Sequence, residues 1–467
     1  MTAANSLWTS DEIAAATGGH TNADFVVYGL TFDSREVGPG DLFLALHGEN
    51  DDGNRFVEQA FAAGAAGAIV DTAVAGPHIL VTDTMAALEA LGRAARVRSK
   101  AQIIGITGSV GKTGTKEALA EALERYAPGA VHCSVKSYNN HTGVPLSLAR
   151  MPRDCDYGVF EMGMNHAGEL AALTAIVRPH VAVITTVAPA HIGYFASLEA
   201  IADAKAEVFS GLESHGTAII PFDSPFCDRL ASVAEAHGAQ TVTFGTQSGA
   251  NVCARDWVVD AETGGSLITA ELPDATLCFA LAPPGDHWVA NAMAVLAAVQ
   301  VVGADLAAAG LALAELSGLQ GRGARHHIDA AGGEVLLIDE SYNANPASMA
   351  ATLKQLGREP AARRIAVLGA MKELGEGSEA FHAALVDDII AAKVDMALLV
   401  GEEMRALALV LVAEPLAHRV EFAHDIGIEP ALEWLRSELR GGDVVLVKGS
   451  NSIGLSRIVT ALIGGDI

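Results

Sequence analysis

Lys112 and Thr113 close a glycine-spaced run, Thr107-Gly108-Ser109-Val110-Gly111-Lys112-Thr113, whose composition is that of a phosphate-binding loop. Glycines let backbone N–H groups approach phosphate oxygens, and a following helix adds the positive end of its dipole. The lysine at 112 would reach the β- and γ-phosphates, and the Thr113 hydroxyl would hold Mg²⁺. The run is shorter than the common GxxxxGK[ST] loop, because Ile106 stands where that pattern has its first glycine. The flanks supply the needed context. Gln102–Ile106 is apolar and β-branched and predicts a buried strand, and from Glu117 an Ala/Leu periodicity predicts a helix.

Two more polar residues follow predicted strands. Glu161 ends the run Tyr157–Met162, and His191 follows the apolar run Val181–Val187. In a parallel sheet, ligands gather at the carboxyl ends of strands, so one edge can hold the loop, Glu161 and His191 together. With the Thr113 hydroxyl these make an oxygen and nitrogen set suited to Mg²⁺, which takes a few protein ligands plus phosphates. Taken singly, Glu161 reads as well as a solvated strand end, and His191 as a loop histidine. Lys205, between Asp203 and Glu207 on a predicted helix over 198–212, reads by pattern alone as an ordinary helix lysine.

The elements that must position these residues fall into three α/β stretches. In residues 1–98, Ser10 reads as the N-cap of a helix, Phe25–Phe32 as a strand broken by Asp33-Ser34-Arg35, and Leu42–Leu46 as another strand. Arg35 and Arg55 sit in its polar loops, either solvated or facing a substrate. Residues 99–320 alternate strand and helix from the loop onward, with Ser137–Gly143 as a polar loop, a helix from Asn165 to Arg178, and strands at 217–221 and 241–244. This order implies a parallel sheet with helices on both faces. Residues 321–467 begin past the glycines at 318 and 321 and predict strands at 335–339, 365–368, 396–400 and 444–447, a second doubly wound parallel sheet. Lys372 and Lys448 follow strands there and read equally as surface charges.

Composition narrows the function. With 467 residues, half of them hydrophobic, the chain can bury several cores. A formal net charge of −26 argues against nucleic acid or an anionic membrane as partner, and a nucleotide site must then concentrate its few cations. The five cysteines show no CxxC pair, as expected of reduced, cytosolic thiols rather than a metal cluster. No signal peptide and no apolar run of about 18 residues is visible, so a cytoplasmic protein without a transmembrane span is expected.

The motifs in order resemble those of the Mur ligase family of ATP-dependent amide-forming enzymes, over nearly the whole chain. They are Asp33-Ser-Arg35, Thr107–Thr113, Asn139-Asn140-His-Thr142-Gly143, Glu161–His166, His191, Ala204–Phe209, Gly321-Arg322-Gly323, Ser341–Pro346, Leu368–Met371 and Lys448-Gly-Ser450. The stretch Tyr342-Asn343-Ala344-Asn345-Pro346 and the short phosphate loop are the specific ones. The resemblance implies an N-terminal domain (1–98) for a UDP-linked substrate, a central ATPase domain (99–320), and a C-terminal Rossmann-like domain (321–467). It implies ATP and two Mg²⁺ ions, one at Thr113 and Glu161 and one at His191, with Lys205 carried as a carbamate. It places Asn291 at adenine and Arg322 near the phosphates, and it puts substrate at Ser34, Arg35, Asn139, Asn140, Thr142, Asn343 and Asn345. Lys112, His191 and Lys205 become the catalytic set. The implied reaction joins D-alanyl-D-alanine to the carboxylate of a UDP-N-acetylmuramoyl-tripeptide through an acyl phosphate, with a monomer as the expected state. Another ligase of the family, adding an amino acid or glutamate, and a regulatory P-loop ATPase are the alternatives. The chain departs from the family pattern at Trp288, where an Asn is usual, at Pro221, at Glu340 in place of Asp, and at Asn451-Ser452, where an Arg would follow Lys448-Gly-Ser450.

Overall fold

The computed structural model describes residues 6–48, 51–260, 264–413, 420–424 and 427–464. Three large sheets follow one another along the chain, each with its own apolar cores, and a two-stranded sheet adjoins the first. The first has the order His20–Thr21, His78–Leu80, Gly67–Val70, Asp41–Leu44, Gly29–Thr31, parallel except at its first pair. The run 25–32 is not one strand: Val26–Val27 pairs with Trp8–Thr9, while Gly29–Thr31 joins the main sheet. The N-cap of the helix Ser10–Thr17 is Thr9 rather than Ser10. The Thr9 hydroxyl accepts from Glu12 N, and the Glu12 carboxylate accepts from Thr9 N, so two orphan N–H groups are satisfied at once.

The central sheet has nine strands. Seven are parallel, in the order Val131–Cys133, Tyr157–Glu161, Gln102–Thr107, Val181–Ile184, Thr217–Pro221, Gln240–Gly245, Val252–Val259. Ser266–Leu272 and Ala275–Leu281 then add antiparallel at the far edge, so the sheet is mixed rather than wholly parallel. Burial alternates residue by residue along Ser266–Leu272, the pattern of a strand with one wet face. The third sheet is likewise mixed: Ala324–Ala330 pairs antiparallel with Gly333–Glu340 at the edge of four parallel partners, Asp443–Lys448, Arg363–Gly369, Met396–Val400 and Glu421–His424. Apolar clusters cover both faces of the central and third sheets, as doubly wound sheets require.

Three helix boundaries near the loop differ from the sequence expectation. The helix after the loop begins at Lys112, not Glu117, and runs to Tyr126. Its polar first turn hides that start from hydrophobic periodicity, and it places Lys112 and Thr113 on the helix itself. Asn165 and His166 precede the helix Glu169–Val177, with their N–H groups donating to the Glu169 carboxylate. The helix that carries Lys205 is Leu198–Ala206, followed by a 3-10 turn over Glu207–Gly211.

Lys116 is fully buried on the loop's helix, and its ammonium donates to the backbone carbonyls of Ser134 and Lys136 and pairs with Glu117. It therefore ties the loop helix to the segment that carries Ser137 and Asn139. Lys116→Met would leave two carbonyls without their donor, at about 1–3 kcal/mol each. A drop of at least about 2 kcal/mol in urea unfolding is expected, with the far-UV spectrum kept.

Candidate active site

The loop is shaped by two contacts that admit no side chain. Gly108 has φ +150°, and a Cβ there would lie 1.9 Å from Thr185 Oγ1. Gly111 has φ +87°, and a Cβ there would lie 2.8 Å from Asn291 Oδ1. The loop is also strapped to the segment after the neighbouring strand. Ser109 N donates to Thr186 O at 2.8 Å, Thr185 Oγ1 donates to Val110 O at 2.6 Å, and Ser109 and Ala188 exchange bonds of 2.9 Å. The Thr107 hydroxyl is buried with no partner among the described residues. The ammonium of Lys112 donates to Gly108 O at 2.7 Å, across the mouth of the loop. Burial lowers its pKa, Arg322 adds to the shift, and Glu161 opposes it.

Beside the loop, Thr113 Oγ1 donates to one Glu161 oxygen at 2.7 Å, and Asn139 Nδ2 donates to the other at 2.6 Å. Glu161 and Thr113 are both buried. Ser137, 3.3 Å from the Thr113 hydroxyl, accepts a bond of 3.0 Å from the Arg322 guanidinium, which lies over the Tyr342 ring. Arg322 belongs to the segment that leads into the third sheet, so this contact closes the cavity from that side.

Lys205 is buried with Lys112 as its charged neighbour, and burial first, then Lys112, push its pKa well below the ordinary lysine value. The carboxylates that flank it in sequence are engaged elsewhere. Asp203 pairs with Arg229, and Glu207 accepts from the N–H groups of Gly168 and Ala171. His191 holds a left-handed backbone, φ 57°, and its Nδ1 meets the Glu373 carboxylate of the third unit. Burial lowers the imidazole pKa, against the pull of Glu373.

These parts line one cavity of about 310 Å³ that takes in Gly108–Lys112, Asn139, Glu161, His191, Lys205 and Asn291 from the central unit. Arg322, Glu340, Tyr342, Asn343, Asn345 and Lys448 line it from the C-terminal side. Lys448 is buried, donates to Asn343 O at 3.0 Å and lies 3.4 Å from Glu340. An adjoining cavity of about 440 Å³ lies across Asn291, between Thr185–Ala188, Pro221–Pro225 and Ala347–Thr352.

The expected residues are thus mostly brought together. Asn345 reaches the cavity wall, but its side chain caps the helix Pro346–Arg358 by accepting from Ser348 N. Asn140 and Thr142 do not line the cavity: the Asn140 amide oxygen accepts from Thr142 N and Gly143 N and so starts the helix Gly143–Ala149. Ser34 and Arg35 lie outside it too, Ser34 bonded to Gln59 and Arg35 to Asp33. Their loop meets the segment that carries Ser137 and Asn139, where Glu36 pairs with Lys136 and Phe32 lies against Tyr138.

Matches to known proteins cover all three units. The Mur ligase middle domain matches residues 106–299, the Mur ligase glutamate ligase domain residues 325–451, and the Mur ligase family catalytic domain residues 26–86. A UDP-N-acetylmuramoyl-tripeptide–D-alanyl-D-alanine ligase of Escherichia coli is 35% identical over 442 residues, 94% of each chain. The chain belongs to the Mur ligase family. MurF from Acinetobacter baumannii superimposes with a TM-score of 0.84 at 30% identity, over 98% of this chain and 99% of that one. MurF from Thermotoga maritima, solved in complex with ADP, superimposes with 0.73 at 26% identity over 94% and 97%.

Within this Mur ligase several cavity residues carry no sequence signal of their own. Ser137 and His287 are found only by their contacts, as is Glu373, which reaches the cavity residue His191 from the third unit. His287 lies between the two cavities, and burial lowers its pKa while Glu340 opposes. The Trp288 departure is explained by packing: a Cβ at Gly114 would meet the Trp288 ring at 2.8 Å, so the two residues fit each other. Asn451 lines a cavity that Lys136 and Arg322 also line. Pro221 ends its strand at the wall of the adjoining cavity.

At the other side of the cavity Asp286 accepts from Arg358 at 2.9 Å and from Lys354 at 2.7 Å, a clasp between central and third units. The Arg358 bonds first, then Lys354, hold its carboxyl at about 2. A depressed carboxyl stabilises the docked state above its unfolded value and loses that contribution as pH falls through the folded one. Asp286→Asn should therefore lower the urea midpoint at neutral pH, and the two proteins should converge as the pH falls towards about 2.

Proposed function

We propose that the chain is an ATP-dependent ligase that joins D-alanyl-D-alanine to the terminal carboxylate of UDP-N-acetylmuramoyl-tripeptide, a step of peptidoglycan precursor synthesis. The observation that carries this reading is one cavity in which a phosphate loop, buried carboxylate and hydroxyl oxygens, and cations from the third unit converge. The near full-length likeness to ligases of that name supports the substrates.

A carboxylate is a poor electrophile, so the peptide carboxylate attacks the γ-phosphate of ATP and leaves as an acyl phosphate with ADP. The amine of the dipeptide then attacks the acyl carbon, forming the amide and releasing phosphate. Two anions must meet in the first step. Lys112, Arg322 and Lys448 face that encounter and offset its repulsion. The adjoining cavity, with Asn291 on its wall, suits the adenine and ribose of ATP.

The donor chemistry fits Mg²⁺. Glu161 and Thr113 present buried hard oxygens 2.7 Å apart, a donor pair that phosphates and water would complete to a Mg²⁺ shell. Glu161 with Thr113 would hold one ion and His191 with Lys205 a second. Bound there, Mg²⁺ neutralises charge on the transferred phosphoryl group. Lys205 suits the second place as a carbamate. Its neutral amine would attack CO₂, form the N–C bond, lose a proton and present an anionic oxygen. Its lowered pKa, and the diversion of Asp203 and Glu207 to other partners, favour that reaction.

A carboxylate beside His191 would receive the proton of the incoming amine, since the imidazole would give one nitrogen to the ion and its other N–H to Glu373. Residues 1–98, with Ser34 and Arg35, would carry the uridine end of the substrate. Residues 99–320 would bind ATP, and 321–467 would bring the dipeptide. The chain would act as a monomer. No helix among the described residues is long and apolar enough to cross a membrane, and the five cysteines are free, which suits a cytoplasmic enzyme.

The deciding experiment follows phosphate release with and without D-alanyl-D-alanine, in the presence of the UDP-peptide. Release that depends on the dipeptide is expected; release indifferent to it points to an ATPase or kinase. Lys112→Ala should fall below about a tenth of the activity with circular dichroism unchanged, since the side chain contacts the loop rather than a core. For Lys205→Ala, activity should be lost and partly restored by short carboxylic acids, while Lys205→Arg stays inactive. An active Lys205→Arg would show that an ammonium serves there.

A further inference from the structure

The segment Met371-Lys372-Glu373-Leu374-Gly375 crosses from the third unit to the cavity wall and is fixed at its own end. Met371 N donates to His382 Nε2 at 2.9 Å, Lys372 N donates to Ser450 Oγ at 2.9 Å, and Leu374 is buried. From that base Glu373 is displayed in a left-handed backbone, φ 63°, facing His191, which is left-handed as well. A non-glycine residue in that region is uncommon, and two such residues in contact across a unit boundary are held there by their surroundings. The surroundings are specific. Gly193 N donates to Glu373 O at 3.1 Å. A Cβ on Gly193 would lie 2.6 Å from Gly375 N, and one on Gly375 would lie 2.7 Å from the Gly193 Cα. Ile192 packs against the cores of both units. Within this clasp the Glu373 carboxylate takes His191 Nδ1.

We propose that Glu373 is the positioning residue of His191: by accepting the Nδ1 proton it fixes the ring and its tautomer with Nε2 turned to the cavity, and it does so only when the third unit is docked. The inference rests on the reading of His191 as a metal ligand. An imidazole bound to a metal through one nitrogen commonly gives its other N–H to a carboxylate, which orients the ring and raises its basicity. Here that carboxylate comes from a different unit, so the ion at His191 is bound well only by the closed molecule. Glu161 and Thr113, which share one unit, need no such partner.

The test is direct Mn²⁺ binding to the full chain with a non-hydrolysable ATP analogue, read by electron paramagnetic resonance. Glu373→Ala should weaken one bound ion roughly 10–100-fold and leave the other unchanged, and Glu373→Gln, whose amide oxygen still accepts the N–H, should restore most of that loss. Gly193→Ala, which forces the clasp apart with the carboxylate intact, should show the same selective loss as Glu373→Ala. His191→Ala run in parallel separates two failures. If His191→Ala weakens an ion and Glu373→Ala does not, the positioning role is wrong and the metal reading stands. If neither changes Mn²⁺ binding, both are wrong. Equal weakening by Glu373→Ala and Glu373→Gln also overturns the proposal, since a loss that the conservative variant cannot repair is not one of ring orientation.

Discussion

A chain of net charge −26 must gather positive charge around an anion without neutralising it. The cavity meets this by holding its cations largely with dipoles, with one carboxylate, Glu340, paired to Lys448. Lys112 is bonded to a carbonyl, Lys448 to a carbonyl with a longer contact to Glu340, and Arg322 rests on an aromatic face and a hydroxyl. Lys205 has another cation for its charged neighbour. Burial of such groups disfavours their charged forms, which is why the pKa values of Lys112, Lys205 and Lys448 are all lowered. The same desolvation makes each remaining charge act strongly on a bound phosphate. Most other ion pairs among the described residues lie on the surface and within one unit, as Arg229 with Asp203 and Arg457 with Glu429 do.

The second constraint is steric. Gly108 against Thr185 and Gly111 against Asn291 leave no room for a side chain at those two positions, so the curvature of the loop is set by neighbouring elements. Parallel strands bring those neighbours to one edge: the strand Gln102–Thr107 lies between Tyr157–Glu161 and Val181–Ile184, and the loop, Glu161 and the segment leading to His191 leave from that edge.

That edge is what made much of the site readable from the sequence. Short apolar runs followed by glycine, Glu161 or His191 identify strand ends, and strand ends in a parallel sheet converge. The antiparallel additions, Ser266–Leu272, Ala275–Leu281 and Ala324–Ala330, were not readable in this way, because amphipathic edge strands lack the continuous apolar run that identifies a buried one. The start of the loop helix was hidden by its polar first turn, and Asn140 and Asn345 proved to cap helices, a task that motif residues share with many asparagines. Arg322 with Ser137 and His191 with Glu373 join positions far apart in the chain and in different units, and pairing at that distance leaves no local pattern.

The fit of Trp288 onto Gly114 has a practical consequence. The indole lies against the first turn of the helix that carries Lys112 and Thr113, and it lines the cavity beside Asn291 and Arg322. The other tryptophans, Trp8, Trp257 and Trp434, line none of the cavities described above. The protein thus carries a native fluorophore on the wall of the cavity proposed to hold the phosphates of ATP. Its emission would respond to polarity and charge close to the loop, so nucleotide occupancy there would give an optical signal that needs no label.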